Sequence, residues 1–229
     1  MKTIGLIGGI SWESTTEYYR IINLETNARL GGRHSARIVL VSLDFEEVEV
    51  LQSSDRWEEA ASLMIQAAEQ VRAGGAELLL ICANTMHKLA GQVQAAVDIP
   101  LIHIVQATAR AVQAQELTRV GLLGTRYTMT GDFIRGGLEA EGITVLVPDP
   151  EEMEVINRII YDELVLGRIL EPSRRNLHRA VDRLARAGAQ GVVLGCTELP
   201  LLAKEDLSPV PLFDTTLLHA KAAVEAALA

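Results

Sequence analysis

Apolar residues in this chain gather in short unbroken runs separated by longer stretches of helical spacing. The runs read as strands over Lys2–Ile7, Ala36–Leu43, Leu78–Cys82, Pro100–Val105, Arg119–Leu123, Ile143–Val147, Gly191–Leu194 and Val210–Asp214. Each is strand-sized, and Leu78–Cys82 and Gly191–Leu194 read as buried apolar strands of a parallel sheet. Between them the spacing predicts helices over Trp12–Asn27, Arg56–Ala73, Met86–Ala96, Met153–Leu166, Ser173–Ala187 and Thr215–Leu228, with Gly142 closing one more. Ser11 reads as the N-cap of the first helix, and Asp55 with Glu58 reads as a capping box for the second. The carboxylates at Asp44, Glu46, Glu47 and Glu49 read as a solvated loop. Alternation of strand and helix predicts an α/β fold with helices on both faces of parallel sheets.

The pattern then repeats. Arg119–Thr125 echoes the opening strand and its glycine turn at Gly8-Gly9. Arg72-Ala73-Gly74 stands ahead of Cys82 at the same offset that separates Arg186-Ala187-Gly188 from Cys196, and Ile99-Pro100-Leu101 is matched by Val210-Pro211-Leu212. An internal duplication of about 110 residues accounts for all these matches in one order. It predicts two pseudo-symmetric doubly wound units, 1–105 and 106–214, with the segment 215–229 free to pack back onto the first and the active site in the cleft between them.

The duplication gives weight to two residues. Cys82 and Cys196, the only cysteines of the chain, each end an apolar strand and precede a helix start, where open parallel sheets bind ligands. A lone cysteine is more often a small buried hydrophobe than a catalyst, and a disulfide is the bland alternative for any pair. A packing residue has no reason to recur at the same strand end in both halves. Two thiols on opposite sides of a small molecule suit the inversion of a stereocentre, since one as thiolate removes a proton and the other as thiol returns one to the opposite face. Asn84, Thr85 and Thr197 serve either as helix caps or as anchors for an anion at a helix N-terminus. His87 and Glu198 are candidates to support the thiols from behind. Gln52, placed in a loop after a strand, is a candidate for the substrate side chain, as is Arg126. Ser11 and Thr125, which follow the two glycine turns, complete the proposed substrate-binding set.

Composition narrows the partners. A net charge of −9 argues against nucleic acid and anionic membrane. The apolar runs are too short for a transmembrane helix, and the start of the chain does not read as a signal peptide. Two free thiols fit the reducing cytoplasm. No metal site is expected, because the cysteines lie far apart without ligand spacing. None of the four lysines sits in a pyridoxal phosphate motif, although Lys88 is the least easily dismissed. The expected cofactor set is therefore empty.

The segments Gly8-Gly9-Ile10-Ser11-Trp12-Glu13-Ser14, Cys82-Ala83-Asn84-Thr85-Met86-His87 and Gly195-Cys196-Thr197-Glu198 resemble the signatures of the aspartate/glutamate racemase family. The resemblance covers essentially the whole chain and points to the branch with broader specificity for acidic amino acids. It implies a two-domain pseudo-symmetric fold, a homodimer, and cofactor-independent racemisation of aspartate or glutamate by two cysteines. The chain departs from the family pattern at Ala83, where a hydroxyl-bearing or amide residue is common. Other members of the superfamily (hydantoin racemase, maleate isomerase, arylmalonate decarboxylase) remain open, as does a non-catalytic amino-acid sensor.

Overall fold

The computed structural model describes all 229 residues. The chain divides into two units, one formed by Met1–His103 with His219–Ala229 and the other by Ile104–Leu218. No helix is long and apolar enough to cross a membrane.

The first unit runs β1 (Ile4–Gly8), α1 (Trp12–Leu30), β2 (Ile38–Ser42), α2 (Phe45–Ser53), α3 (Trp57–Ala73), β3 (Leu78–Ile81) and α4 (Ala90–Ala96). Its three strands are parallel in the order β2-β1-β3, with Ile4 opposite both Ile38 and Leu78. β1 and β3 are buried along their whole length, which explains their uninterrupted apolar sequence. One face of the sheet packs on α3 through Ile7, Met64, Val71, Leu79 and Ile81.

The second unit contains α5 (Ile104–Gln113), β4 (Arg119–Leu123), α6 (Arg126–Thr130), α7 (Asp132–Ala140), β5 (Thr144–Leu146), α8 (Pro150–Arg158), α9 (Glu171–Arg186), β6 (Gly191–Leu194) and β7 (Leu212–Asp214). Its parallel sheet has the order β5-β4-β6-β7. The last helix, α10 (Thr215–Leu228), is capped by Asp214, whose Oδ1 accepts from the N–H groups of Thr216 and Leu217. From His219 onward α10 belongs to the first unit. There Lys2 N–H donates to Ala227 O at 2.8 Å.

A shared detail ties the two sheets to one plan. Gly5 in β1 and Gly121 in β4 stand in corresponding places, each beneath the helix that leads to the cysteine strand. A Cβ on Gly5 would lie 2.2 Å from Val71 Cγ1 of α3, and one on Gly121 would lie 2.8 Å from Leu184 Cδ1 of α9. The helix can approach its central strand this closely only where the strand has no side chain.

Several local expectations need correction. The acidic segment after β2 is helix α2, because Asp44 caps it by accepting from Glu46 N–H and the first-turn carboxylates suit a helix N-terminus. Gln52 consequently lies on a helix rather than in a loop. No capping box precedes α3: its N-cap is Arg56, and Asp55 instead adopts a φ of 57° and accepts from Trp57 Nε1. The expected strand Pro100–Val105 is reduced to a single bridge between Leu79 and Leu101, since α5 already begins at Ile104. The expected helix from Met86 starts as a 3-10 turn over Thr85–Leu89 before α4. The helical pattern Met153–Leu166 is α8 followed by a π turn over Ile159–Glu163 and a 3-10 turn over Leu164–Leu166.

Gly5→Ala is expected to destabilise the protein by about 1–3 kcal/mol, because the added methyl meets a stiff β-branched side chain and the Leu78 carbonyl. Gly121→Ala should cost less, since its nearest contact, at 2.8 Å, is the movable end of the Leu184 side chain and the next two lie at 3.1 and 3.2 Å. Urea unfolding of both variants checks the order.

Candidate active site

Each cysteine stands just beyond the strand that pairs with the first strand of its unit, β3 with β1 and β6 with β4. Cys82 N–H donates to Ile7 O at 2.9 Å, continuing the β1/β3 ladder, and its carbonyl accepts from Ser14 Oγ at 2.9 Å. Ser14 is in turn placed by Ser11, the N-cap of α1, whose Oγ accepts from Ser14 N–H. The turn before it requires Gly9: φ is 84°, and a Cβ there would lie 2.0 Å from Leu43 O. Ser11 and the Cys82 loop therefore sit side by side at the C-terminal ends of adjacent parallel strands.

The second unit repeats the arrangement. Gly195 N–H donates to Leu123 O at 2.7 Å, which carries the β4/β6 ladder up to Cys196. Thr125 follows β4 as the N-cap of α6 and accepts from Thr128 N–H. A Cβ on Gly124 would lie 3.1 Å from Gly195 O, so the Thr125 turn runs close beside the Cys196 strand.

Both cysteines are free. Cys82 is 0% exposed and Cys196 is 8% exposed. Burial pushes the Cys82 thiol well above its usual range. Cys196 is pushed up by burial first, and then by the charge and hydrogen bond of Glu198. Cys196 Sγ donates to Glu198 Oε2 at 3.0 Å, and Thr197 Oγ1 donates to the same oxygen at 2.7 Å. Glu198 is itself only 7% exposed. Cys196 also packs among Leu194, Leu199 and Leu202.

The expected helix N-termini at these loops are not α-helical. Asn84 precedes the 3-10 turn Thr85–Leu89, Glu198 precedes the 3-10 turn Leu199–Leu201, and neither side chain caps its turn. Thr197 is therefore no helix cap, and its hydroxyl is turned to Glu198. A single 3-10 turn aligns few peptide dipoles, so amide N–H groups and hydroxyls carry any anion affinity here.

Sequence reasoning named His87 but not the ring cluster that folding gathers around it. His87 Nδ1 lies 2.7 Å from Ala83 O, the carbonyl just after Cys82. Its ring meets those of His103 and His219 edge-on, with centroids 4.9 and 5.3 Å apart. His219 donates from Nε2 to Ile102 O at 2.6 Å, which leaves Nδ1 to accept from Tyr18 OH at 2.8 Å. His219 and Tyr18 carry no local signal, because they come from opposite ends of the chain. Gln52 is half-buried on α2. Arg126 is exposed and paired with Glu154. Lys88 lies 3.7 Å over the Trp57 ring, a cation–π contact on the surface.

The model of the family described as Asp/Glu/Hydantoin racemase matches residues 7–223. The chain belongs to that family. With it the chain is an enzyme of the racemase type. A chain from Yersinia pestis, assigned as a candidate Asp/Glu racemase, is 50% identical with a TM-score of 0.95, covering 100% of both chains. An aspartate racemase homologue from Pyrococcus horikoshii is 35% identical with a TM-score of 0.88, again over 100% of both. Glutamate racemase of Deinococcus radiodurans is 31% identical over 141 residues, which are 59% of this chain and 46% of that enzyme.

The histidine cluster makes stability depend on pH. Burial lowers His87 well below its usual value, lowers His103, and brings His219 down to about 4. The unfolded chain binds these protons first, so the stabilisation is complete above about pH 6.5 and is lost as pH falls toward about 4. Each histidine contributes a slope of at most about 1.4 kcal/mol per pH unit in that window. Thermal melting from about pH 7 to about pH 5 should show a falling midpoint, and His219→Gln should flatten the fall.

Proposed function

We propose that this chain racemises an acidic amino acid, aspartate or glutamate, without a cofactor, and that Cys82 and Cys196 work on opposite faces of Cα. The observation that supports this most is the equivalent station of the two thiols: each follows the strand that pairs with the first strand in its own half of a duplicated fold. A packing cysteine has no reason to occupy that station twice. Full-length similarity to an aspartate racemase homologue supports the substrate class.

The chemistry follows from two buried thiols. Burial makes each thiolate a stronger base than a free one, and the α-ammonium group of a bound amino acid supplies the positive charge that lets it form. One thiolate takes the Cα proton while the other thiol delivers a proton from the far side. Ser11, Asn84, Thr85, Thr125 and Thr197, with the loop amides, would hold the α-carboxylate and spread the charge that develops as the proton leaves. Gln52 would meet the side-chain carboxylate. Thr197 Oγ1 donates to Glu198, so its remaining lone pairs and its backbone N–H are what it can offer a ligand. Assembly as a homodimer in the cytoplasm belongs to the same reading.

Cys82→Ser and Cys196→Ser should each lower racemisation by roughly 10² to 10⁴-fold. In deuterium oxide, early product from either enantiomer should carry deuterium at Cα while recovered substrate keeps its proton. Recovered substrate that gains deuterium as fast as product, in both directions, would replace two bases with one. Circular dichroism of each L-amino acid incubated with the enzyme tests the substrate: faster turnover of alanine than of aspartate or glutamate would refute the acidic assignment.

A further inference from the structure

The two cysteines differ in one respect that the duplication does not explain. Two residues after Cys82 stands Asn84, whereas two residues after Cys196 stands Glu198. The Glu198 carboxylate is buried, and its Oε2 accepts from Cys196 Sγ at 3.0 Å and from Thr197 Oγ1 at 2.7 Å. A buried carboxylate in hydrogen-bond contact with a thiol is placed to take that thiol's proton, which an asparagine amide cannot do.

We infer that Glu198 is a catalytic base dedicated to Cys196, and that Cys82 works without such a partner. The inference rests on the two-cysteine reading and gives the two faces of the substrate different proton chemistry. At rest one negative charge sits on Glu198, with both cysteines as thiols. When an enantiomer presents its Cα–H to Cys196, the Sγ proton passes to Oε2 and the thiolate takes the Cα proton. The Cys82 thiol then protonates the opposite face, leaving Glu198 as the acid, Cys196 as thiol and Cys82 as thiolate. The opposite enantiomer starts from this second form and retraces each step, so Glu198 ends as carboxylate again. One proton vacancy moves among three groups, and none is created or lost.

Racemisation itself cannot expose this asymmetry, because the equilibrium constant of one ties kcat/KM in the two directions together. An irreversible reaction that needs only one base can. In 3-chloroaspartate, or 3-chloroglutamate if glutamate is the better substrate, one sulfur, as thiolate, removes the Cα proton, and the enzyme afterwards releases one proton to solvent, which restores the single vacancy among the three groups. The C–H electron pair then forms the Cα–Cβ double bond and chloride leaves with the C–Cl pair. The enamine hydrolyses to ammonia and a 2-oxo acid, which is readily measured. Wild type, Cys82→Ser, Cys196→Ser and Glu198→Gln are each given both Cα configurations of the chloro acid. Glutamine keeps an oxygen to accept from Cys196 and Thr197, and melting curves report whether the variant folds.

Each serine variant should block elimination from one configuration only. Glu198→Gln should then lower elimination roughly 100-fold for the configuration that Cys196→Ser blocks, at least tenfold more than for the other. Equal losses on both configurations, or no loss on either, would overturn the role of Glu198 while leaving two-base racemisation intact. Failure of wild type to eliminate from either configuration, or a serine variant that blocks both, would overturn the two-base reading and this inference with it.

Discussion

The architecture depends on how closely a helix can be laid against the central strand of a parallel sheet. Gly5 and Gly121 set that distance, because the side chains of Val71 and Leu184 occupy the space where a Cβ would stand. The helix leads straight into the cysteine strand, so its depth sets where that strand begins and how it meets the central strand. The ladder from Ile7 O to Cys82 N–H and the one from Leu123 O to Gly195 N–H then carry each thiol to a defined height above its sheet. The two thiols are thus positioned mainly by backbone hydrogen bonds and by a glycine some distance away.

Both thiols are buried, and burial acts on their chemistry in two ways. It disfavours the thiolate in the resting protein, and it makes any thiolate that does form more basic and less screened by water. The two sites resolve that tension differently. Around Cys82 the loop is held by neutral groups, Ser14 on its carbonyl and His87 on the next one. Around Cys196 a carboxylate lies in direct contact with the sulfur. A duplicated fold has kept its geometry while the residue two places after the cysteine has diverged.

The histidine cluster belongs to the structural support of the first loop. His219 bonds to Tyr18 and to the Ile102 carbonyl, His87 bonds to the Ala83 carbonyl, and the His87 ring meets those of His103 and His219 edge-on. The arrangement brings α10 against α1 and the Cys82 loop, so the end of the chain contributes to the setting of a residue near its first third.

The sequence by itself determined the α/β class, the parallel sheets, the internal repeat and the two cysteines with their strand ends. Each of these is written in local patterning: apolar runs, glycine punctuation, and a motif that recurs at one offset. Tertiary structure alone decided the rest. The acidic stretch after β2 became a helix because Asp44 could cap it, and the Pro100 segment stayed a single bridge because α5 took its last residues. The turns after the cysteines tightened to 3-10 geometry, so the hydroxyl of Thr197 serves Glu198 rather than a helix end. Tyr18 meets His219 only because folding brings the two ends of the chain together. Hydrogen bonds and ring contacts between residues remote in sequence follow from where elements pack, and packing leaves no local pattern to read.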